Sequence, residues 1–444
     1  MSLADIAARL DAHVPETLAD LADLIAIPSV SSMPEHEGDV ARSARWVADK
    51  LEALGAQDVQ IVQEGGAPAV IAHFPAPEGQ PTVCLYAHHD VQPTGEASGW
   101  TTPPFEPVTR DGRMFGRGSA DDKGGVAAHL AALRAWDGKP PVGVTVFVEG
   151  EEEVGSPSLS AIIAAHHDAL KADLYIIADA GNWEIGVPAL TTTLRGIADC
   201  VVEVRTLDHG IHSGEYGGVV PDALTALCRL LATLHDEAGN VAVAGLRSSV
   251  APDLELNLDQ LAQDTGKLPG VSWIGDGSAV QRMWNSPAVS VLGIDTTPVA
   301  LASNTLIPSA RAKVSLRVPP GEDSARALHL LTEHLRTHAP WGAEVVVTEG
   351  SCGQPGIMRL DVPEAAAMEA CLREAFGAET VRAGMGGSIP MVADFQEAFP
   401  DAAVLCTGVC DPTSRMHGLD ESVQLSDWRS AALAEALLLE RLAR

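Results

Sequence analysis

The stretch TVCLYAHHDVQP, residues 82–93, decides the fold. Its first six residues are short, apolar and β-branched in part, the pattern of a strand buried on both faces. Three further segments share that character: VTVFVE (144–149), DLYIIA (173–178) and AAVLCT (402–407). Helical patterns lie between successive strands, KGGVAAHLAALRAW at 123–136 and SPSLSAIIAAHHDAL at 156–170. Strands alternating with helices predict an α/β domain built on a mostly parallel sheet, with helices on both faces.

Outward from this core, a second region has a different order. Strand 198–206, helix 221–235, strands 288–294 and 310–318, helix 323–338 and strand 343–349 read as βαββαβ. That is the signature of a ferredoxin-like domain. It is inserted into the first, which resumes with helices 363–376 and 426–443. The expected boundaries are 1–187 and 357–444 for the discontinuous first domain and 188–356 for the insert. At the N-terminus, Leu3, Ile6 and Leu10, then Leu18, Leu21 and Ile25, form two amphipathic helical stripes. Residues 239–287 receive no assignment.

Composition narrows the function classes. Apolar residues make up 46% and charged residues 20%, as in ordinary globular proteins. A formal net charge of -31 argues against nucleic acid, whose phosphates repel such a surface. No apolar run approaches the roughly 20 residues of a membrane span. The first residues lack the basic start and continuous apolar core of a secretory signal, so a cytoplasmic location is expected. Seven cysteines, odd in number and without a CxxC pair, read as buried apolar side chains.

The chemistry lies at the strand ends, because ligands of open α/β sheets bind beyond the carboxyl ends of the strands. The first strand ends in His88-His89-Asp90, the second in Glu149-Gly150-Glu151-Glu152-Glu153, and the third at Asp179. The fourth is followed ten residues later by Met416-His417. GRGSADDKGG (116–125) places Asp121 and Asp122 just before a helix. Singly, such groups are ordinary caps, turns and surface residues. Together they crowd charge that needs a cation to hold it. Imidazole with carboxylate suits zinc or manganese, and cobalt in vitro. Five ligands are too many for one catalytic zinc but suit two ions roughly 3.5–4 Å apart sharing a carboxylate. Such a pair lowers the pKa of bound water to about 7 and polarises a carbonyl. A neighbouring carboxylate that is not a ligand can take the proton. The Glu152-Glu153 pair offers one residue for each task.

YAHHDVQP, GRGSADDKGG, EGEEEVGS, the Asp179 strand end, HSGEYGG, MGGSIP and the final Met-His together resemble the M20 family of metallopeptidases, in order and over nearly the whole chain. That family includes carnosinase-like cytosolic dipeptidases, aminoacylases and succinyl-diaminopimelate desuccinylases. The resemblance implies that His88 and Asp179 bind one metal, Glu153 and His417 the other, and that Asp121 bridges. Glu152 becomes the general base and Asp90 the partner that orients His88. A cis peptide is implied at Asp121–Asp122. His212 of the inserted lid and dimerisation domain would reach the partner subunit's site in a homodimer and stabilise the oxyanion. Arg317 and Ser388, with Gly387, match positions that hold the substrate carboxylate. Thr305 stands where relatives often carry Asn. Asp179 rather than Glu, with YAHHDVQP and EGEEEVGS, resembles the dipeptidase branch. The implied enzyme hydrolyses the amide bond of a small peptide with a free carboxylate, using two divalent ions per chain, zinc first and manganese or cobalt next. An N-acyl amino acid deacylase is the alternative within the family, and a non-enzymatic binding protein the alternative outside it.

Overall fold

A computed structural model describes residues 2–443. The chain divides into two compact units. The first runs through Thr192 and takes up again at Met358–Ala383 and from Met391 on; the second is Thr193–Ile357 with Gly384–Pro390.

The first unit holds a six-stranded sheet in the order Gln57–Val62, Ala69–Phe74, Gly143–Glu149, Thr82–His88, Leu174–Ile177, Ala403–Cys406. The last four run parallel to one another and are the four apolar segments of the sequence. Their side chains are buried on both faces, which is why they read as continuous apolar runs. The first two strands are antiparallel additions at one side. Gln57–Val62 is the edge, and its Gln57, Asp58 and Gln60 face solvent. Polar edge strands resist pairing with other chains, and the same polarity hides them from a search for apolar runs.

Helix Lys123–Ala135 is buried along its whole length, packed between helices Leu3–Ile25 and Leu425–Leu442. Its N-cap is Asp122, whose side chain accepts the Gly125 N–H at 3.2 Å. The Lys123 ammonium donates to the Leu24 and Ile27 carbonyls at 3.0 and 2.6 Å, tying this helix start to the end of the N-terminal helix. The two N-terminal stripes belong to one continuous helix with Pro15 inside it. Proline removes one hydrogen bond there, a cost of about 3 kcal/mol. Burial of Ile6, Leu10, Leu21, Leu24 and Ile25 on one face outweighs it. The segment expected as one helix over 156–170 is two, Leu159–Ala165 and His167–Leu170, broken at His166.

The second unit holds an antiparallel four-stranded sheet ordered Ala288–Asp295, Ser309–Val318, Gly196–Arg205, Glu344–Gly353. Helices Ala223–Ala232 and Ser324–Thr337 cover one face, completing the ferredoxin-like βαββαβ order. Both start at an aspartate cap, Asp222 and Asp323. The covered face alternates strictly, with Ala198, Cys200, Val202 and Val204 buried on one strand and Ala310, Ala312, Val314 and Leu316 on its neighbour. Residues 239–287 carry helix Leu258–Asp264 and a π-helical turn, Gln281–Asn285. Five cysteines are buried as expected, whereas Cys228 and Cys352 are exposed. No helix among the described residues is long and apolar enough to cross a membrane.

Candidate active site

Parallel register aligns the carboxyl ends of the central strands. His88 lies opposite Glu149, and Tyr86 opposite Ile177, two residues before Asp179. The chain turns sharply after each end, and the turns carry the polar groups. His88 Nε2 stands 3.1 Å from Asp121 Oδ1 and 4.0 Å from Asp179 Oδ1. His417 Nε2 stands 3.0 Å from Asp121 Oδ2 and 3.3 Å from Glu153 Oε2. One carboxylate, that of Asp121, thus sits between two imidazoles, each backed by a further carboxylate. Two groups have ligand atoms close enough to share an ion: His88, Asp122 and Asp179, and Asp121, Glu153 and His417. Asp122 was not singled out as a ligand in the sequence. One of its oxygens caps the following helix and the other accepts the His88 N–H at 3.2 Å. The Asp121–Asp122 peptide is cis.

A surrounding layer orients these groups. Asp90 Oδ1 lies 3.3 Å from His88 Nδ1. The same carboxylate accepts the Ser31 hydroxyl at 2.6 Å and the backbone N–H groups of Glu152 and Glu153 at 3.2 and 3.1 Å. Asp90 therefore steers one imidazole and the turn carrying both glutamates. Gln92 donates from its backbone and side chain to Glu153 Oε1 and Oε2 at 3.1 and 2.9 Å. Sequence reading missed Gln92, although its place two residues after Asp90 was a usable signal.

Burial and crowding set the electrostatics. Burial, with the neighbouring carboxylates, pushes Glu152 and Asp179 well above the usual carboxylate range. Burial and Asp121 raise Glu153 as well. Burial alone would raise Asp121, but hydrogen bonds from His417 and His88 hold it well below that range. Burial would keep His88 neutral, yet its bonds to Asp121 and Asp90 and the charge of Asp179 raise it strongly. His417, at the exposed rim, is pushed up to about 11 by its bonds to Asp121 and Glu153. Carboxylates outnumber imidazoles here, and such a buried excess of negative charge is costly without a cation. The donors are nitrogen and oxygen without sulfur, which fits zinc, manganese or cobalt.

The second unit brings together the remaining candidates in two pairs. His212 faces Thr305 across a short antiparallel pairing. His212 is exposed, and its Nδ1 accepts the Gly214 N–H at 3.0 Å. That fixes the proton of the neutral ring on Nε2, making Nε2 a donor. Arg317 Nη1 donates to Ser388 Oγ at 2.8 Å. Gly387 adjoins Ser388 in a turn that Arg195 steadies, its Nε donating to the Gly386 carbonyl at 2.9 Å. Burial and the nearby Arg317 bring Arg195 down to about 10. Arg195 too was missed, since nothing in its local sequence links it to residue 386.

Residues 84–441 match the model of peptidase family M20/M25/M40. A cysteinylglycine-S-conjugate dipeptidase of Corynebacterium striatum is 37% identical over 95% of this chain and 94% of its own length. The Beta-Ala-His dipeptidase of Homo sapiens is 28% identical over 89% of this chain and 84% of its own. The solved structure of the di-peptidase Dug1p of Saccharomyces cerevisiae shares the fold with a TM-score of 0.87 at 24% identity, covering 100% of this chain and 98% of that one. The match spans both units and every motif at the strand ends, so this chain belongs to peptidase family M20/M25/M40.

Proposed function

We propose that this peptidase hydrolyses dipeptides with a free carboxylate, with two divalent ions held at the strand ends of the first unit. The observation that carries the reading is Asp121, whose two oxygens reach separate imidazoles at 3.1 and 3.0 Å. A carboxylate so placed suits a bridge between ions, with His88 and Asp179 on one side and Glu153 and His417 on the other. Zinc is the first choice, with manganese or cobalt next. When bound, such ions polarise the scissile carbonyl and acidify water. Glu152 takes the water proton and returns it to the leaving amine. Asp90 holds the His88 ring, and Gln92 holds Glu153, so neither ligand swings during the reaction. Dipeptidase names among the relatives favour this substrate class over N-acyl amino acids.

Elemental analysis of active enzyme is expected to find two transition-metal ions per chain, and chelation to abolish turnover until metal is restored. Active protein free of transition metal and indifferent to chelator overturns the reading.

Arg317 and Ser388 are assigned to the substrate carboxylate, Arg317 through paired donors and Ser388 by holding the guanidinium at 2.8 Å. Amidating the C-terminus of a good dipeptide leaves the guanidinium without its charged partner. A raised KM or complete loss of cleavage is expected for the amide; equal kinetics for acid and amide remove Arg317 from this role.

A further inference from the structure

Glu421 lies four residues after His417 and is fully buried. Its Oε1 accepts the backbone N–H groups of Gly118, Ala120 and Asp121 at 3.1, 3.0 and 3.1 Å. Its Oε2 stands 2.5 Å from Nη1 of Arg117, itself 1% exposed. The Glu421 carbonyl also accepts the Gly116 N–H at 3.0 Å. One side chain therefore fastens the turn that delivers Asp121 to the strap that delivers His417, across 300 residues of chain.

Neither segment has a helix or strand to hold it in place at these residues. The strap adopts left-handed backbone at Arg415, His417 and Asp420, with φ of 55°, 61° and 56°. Non-glycine residues persist there only when the surroundings over-determine them. Arg113 secures the strap's base, donating to Asp411 and to the Ser422 carbonyl at 2.9 Å. Glu421 secures its other end directly against the turn bearing Asp121. The group His88, Asp122 and Asp179 is held by different bonds, through Asp90 and the Gly125 N–H.

We propose that Glu421 is a positioning residue that sets the spacing of Asp121 and His417 before an ion binds, and so tunes the affinity for the ion assigned to Asp121, Glu153 and His417. The inference rests on the two-ion reading above. The carboxylate serves two sets of donors with two oxygens. An amide has a single acceptor oxygen, so Glu421→Gln must turn its NH2 toward either Arg117 or the three backbone N–H groups. Buried donors are then left unpaired or opposed.

The test is a titration of metal-free protein with cobalt(II), followed by visible absorption and calorimetry. Wild type is expected to bind two equivalents. Glu421→Gln should weaken one by about 10–100-fold, the usual effect of removing a ligand's support, and the other, which shares only Asp121 with it, by less. Two equivalents at wild-type affinity in the variant, or equal weakening of both, overturns the inference. Wild type taking up fewer than two equivalents removes the two-ion reading itself, and the inference with it. Should the variant fail to fold by circular dichroism, hydrogen exchange of the wild-type segment 117–121 decides. Protection in metal-free protein supports a pre-set clamp, whereas protection appearing only with cobalt shows that the ion orders the turn and overturns it.

Discussion

Glu152→Gln is expected to lower turnover by about 10²–10⁴-fold while metal content stays at the wild-type level. The substitution keeps size and shape and removes only the capacity to accept a proton. Two neighbouring glutamates occupy the turn after strand Gly143–Glu149, and their surroundings divide the labour. Both oxygens of Glu153 receive bonds from Gln92, and Oε2 also reaches His417. That is the setting of a fixed ligand. Glu152 is raised by burial and by the charges of Asp179, Glu153 and Asp121, so it holds a proton more tightly than a surface glutamate. Cations at the site would counter the like charges and bring it back toward the operating pH, where a base works best. Measuring kcat together with metal content separates the two glutamates. If Glu152→Gln loses a metal ion and Glu153→Gln keeps both, the assignment is reversed.

His212→Ala is expected to cost about 10²–10³-fold in turnover, the effect of losing one oxyanion donor. His212 sits on the second unit, exposed, with Nδ1 occupied by the Gly214 N–H and Nε2 left as the donor. Thr305 lies directly across the strand pair. We assign His212 to the partner subunit's site in a two-fold dimer, the closed symmetry that makes such an exchange mutual. Complementation tests the assignment. His212→Ala and Glu152→Gln are each expected to be nearly inactive. In a mixed dimer one site combines an intact Glu152 with an intact His212 from the other chain. With random subunit exchange roughly a quarter of wild-type activity returns, since half the dimers are mixed and each regains one of two sites. Confirmed exchange without recovered activity places His212 in its own chain's site or in none.

Two features made the core of this protein legible from sequence. The four central strands are buried on both faces, so most of their residues are apolar and stand out without any knowledge of neighbours. Their ends carry the polar groups, so His88, Asp90, Glu152, Glu153 and Asp179 could be placed near one edge once the strands were found. The ferredoxin-like order emerged for a similar reason, because each of its elements shows a clean local period. The polar edge strand Gln57–Val62 carries no such contrast and was not found. Nor was the continuity of helix Leu3–Ile25, because Pro15 interrupts the local pattern while distant packing restores the helix.

The amino-acid sequence by itself determined the alternation of strands and helices, the inserted βαββαβ unit and the types of side chain delivered to the strand ends. Periodicity and apolar burial act over a few residues, and a reader of the chain can follow them directly. Only the tertiary structure decided which groups meet. Asp121 between His88 and His417, Asp90 on the amides of Glu152 and Glu153, Arg195 on the Gly386 carbonyl and Glu421 on the Asp121 N–H are contacts between segments separated by up to 300 residues. Their geometry follows from strand register and from how the chain closes its buried hydrogen bonds, and no local pattern records either.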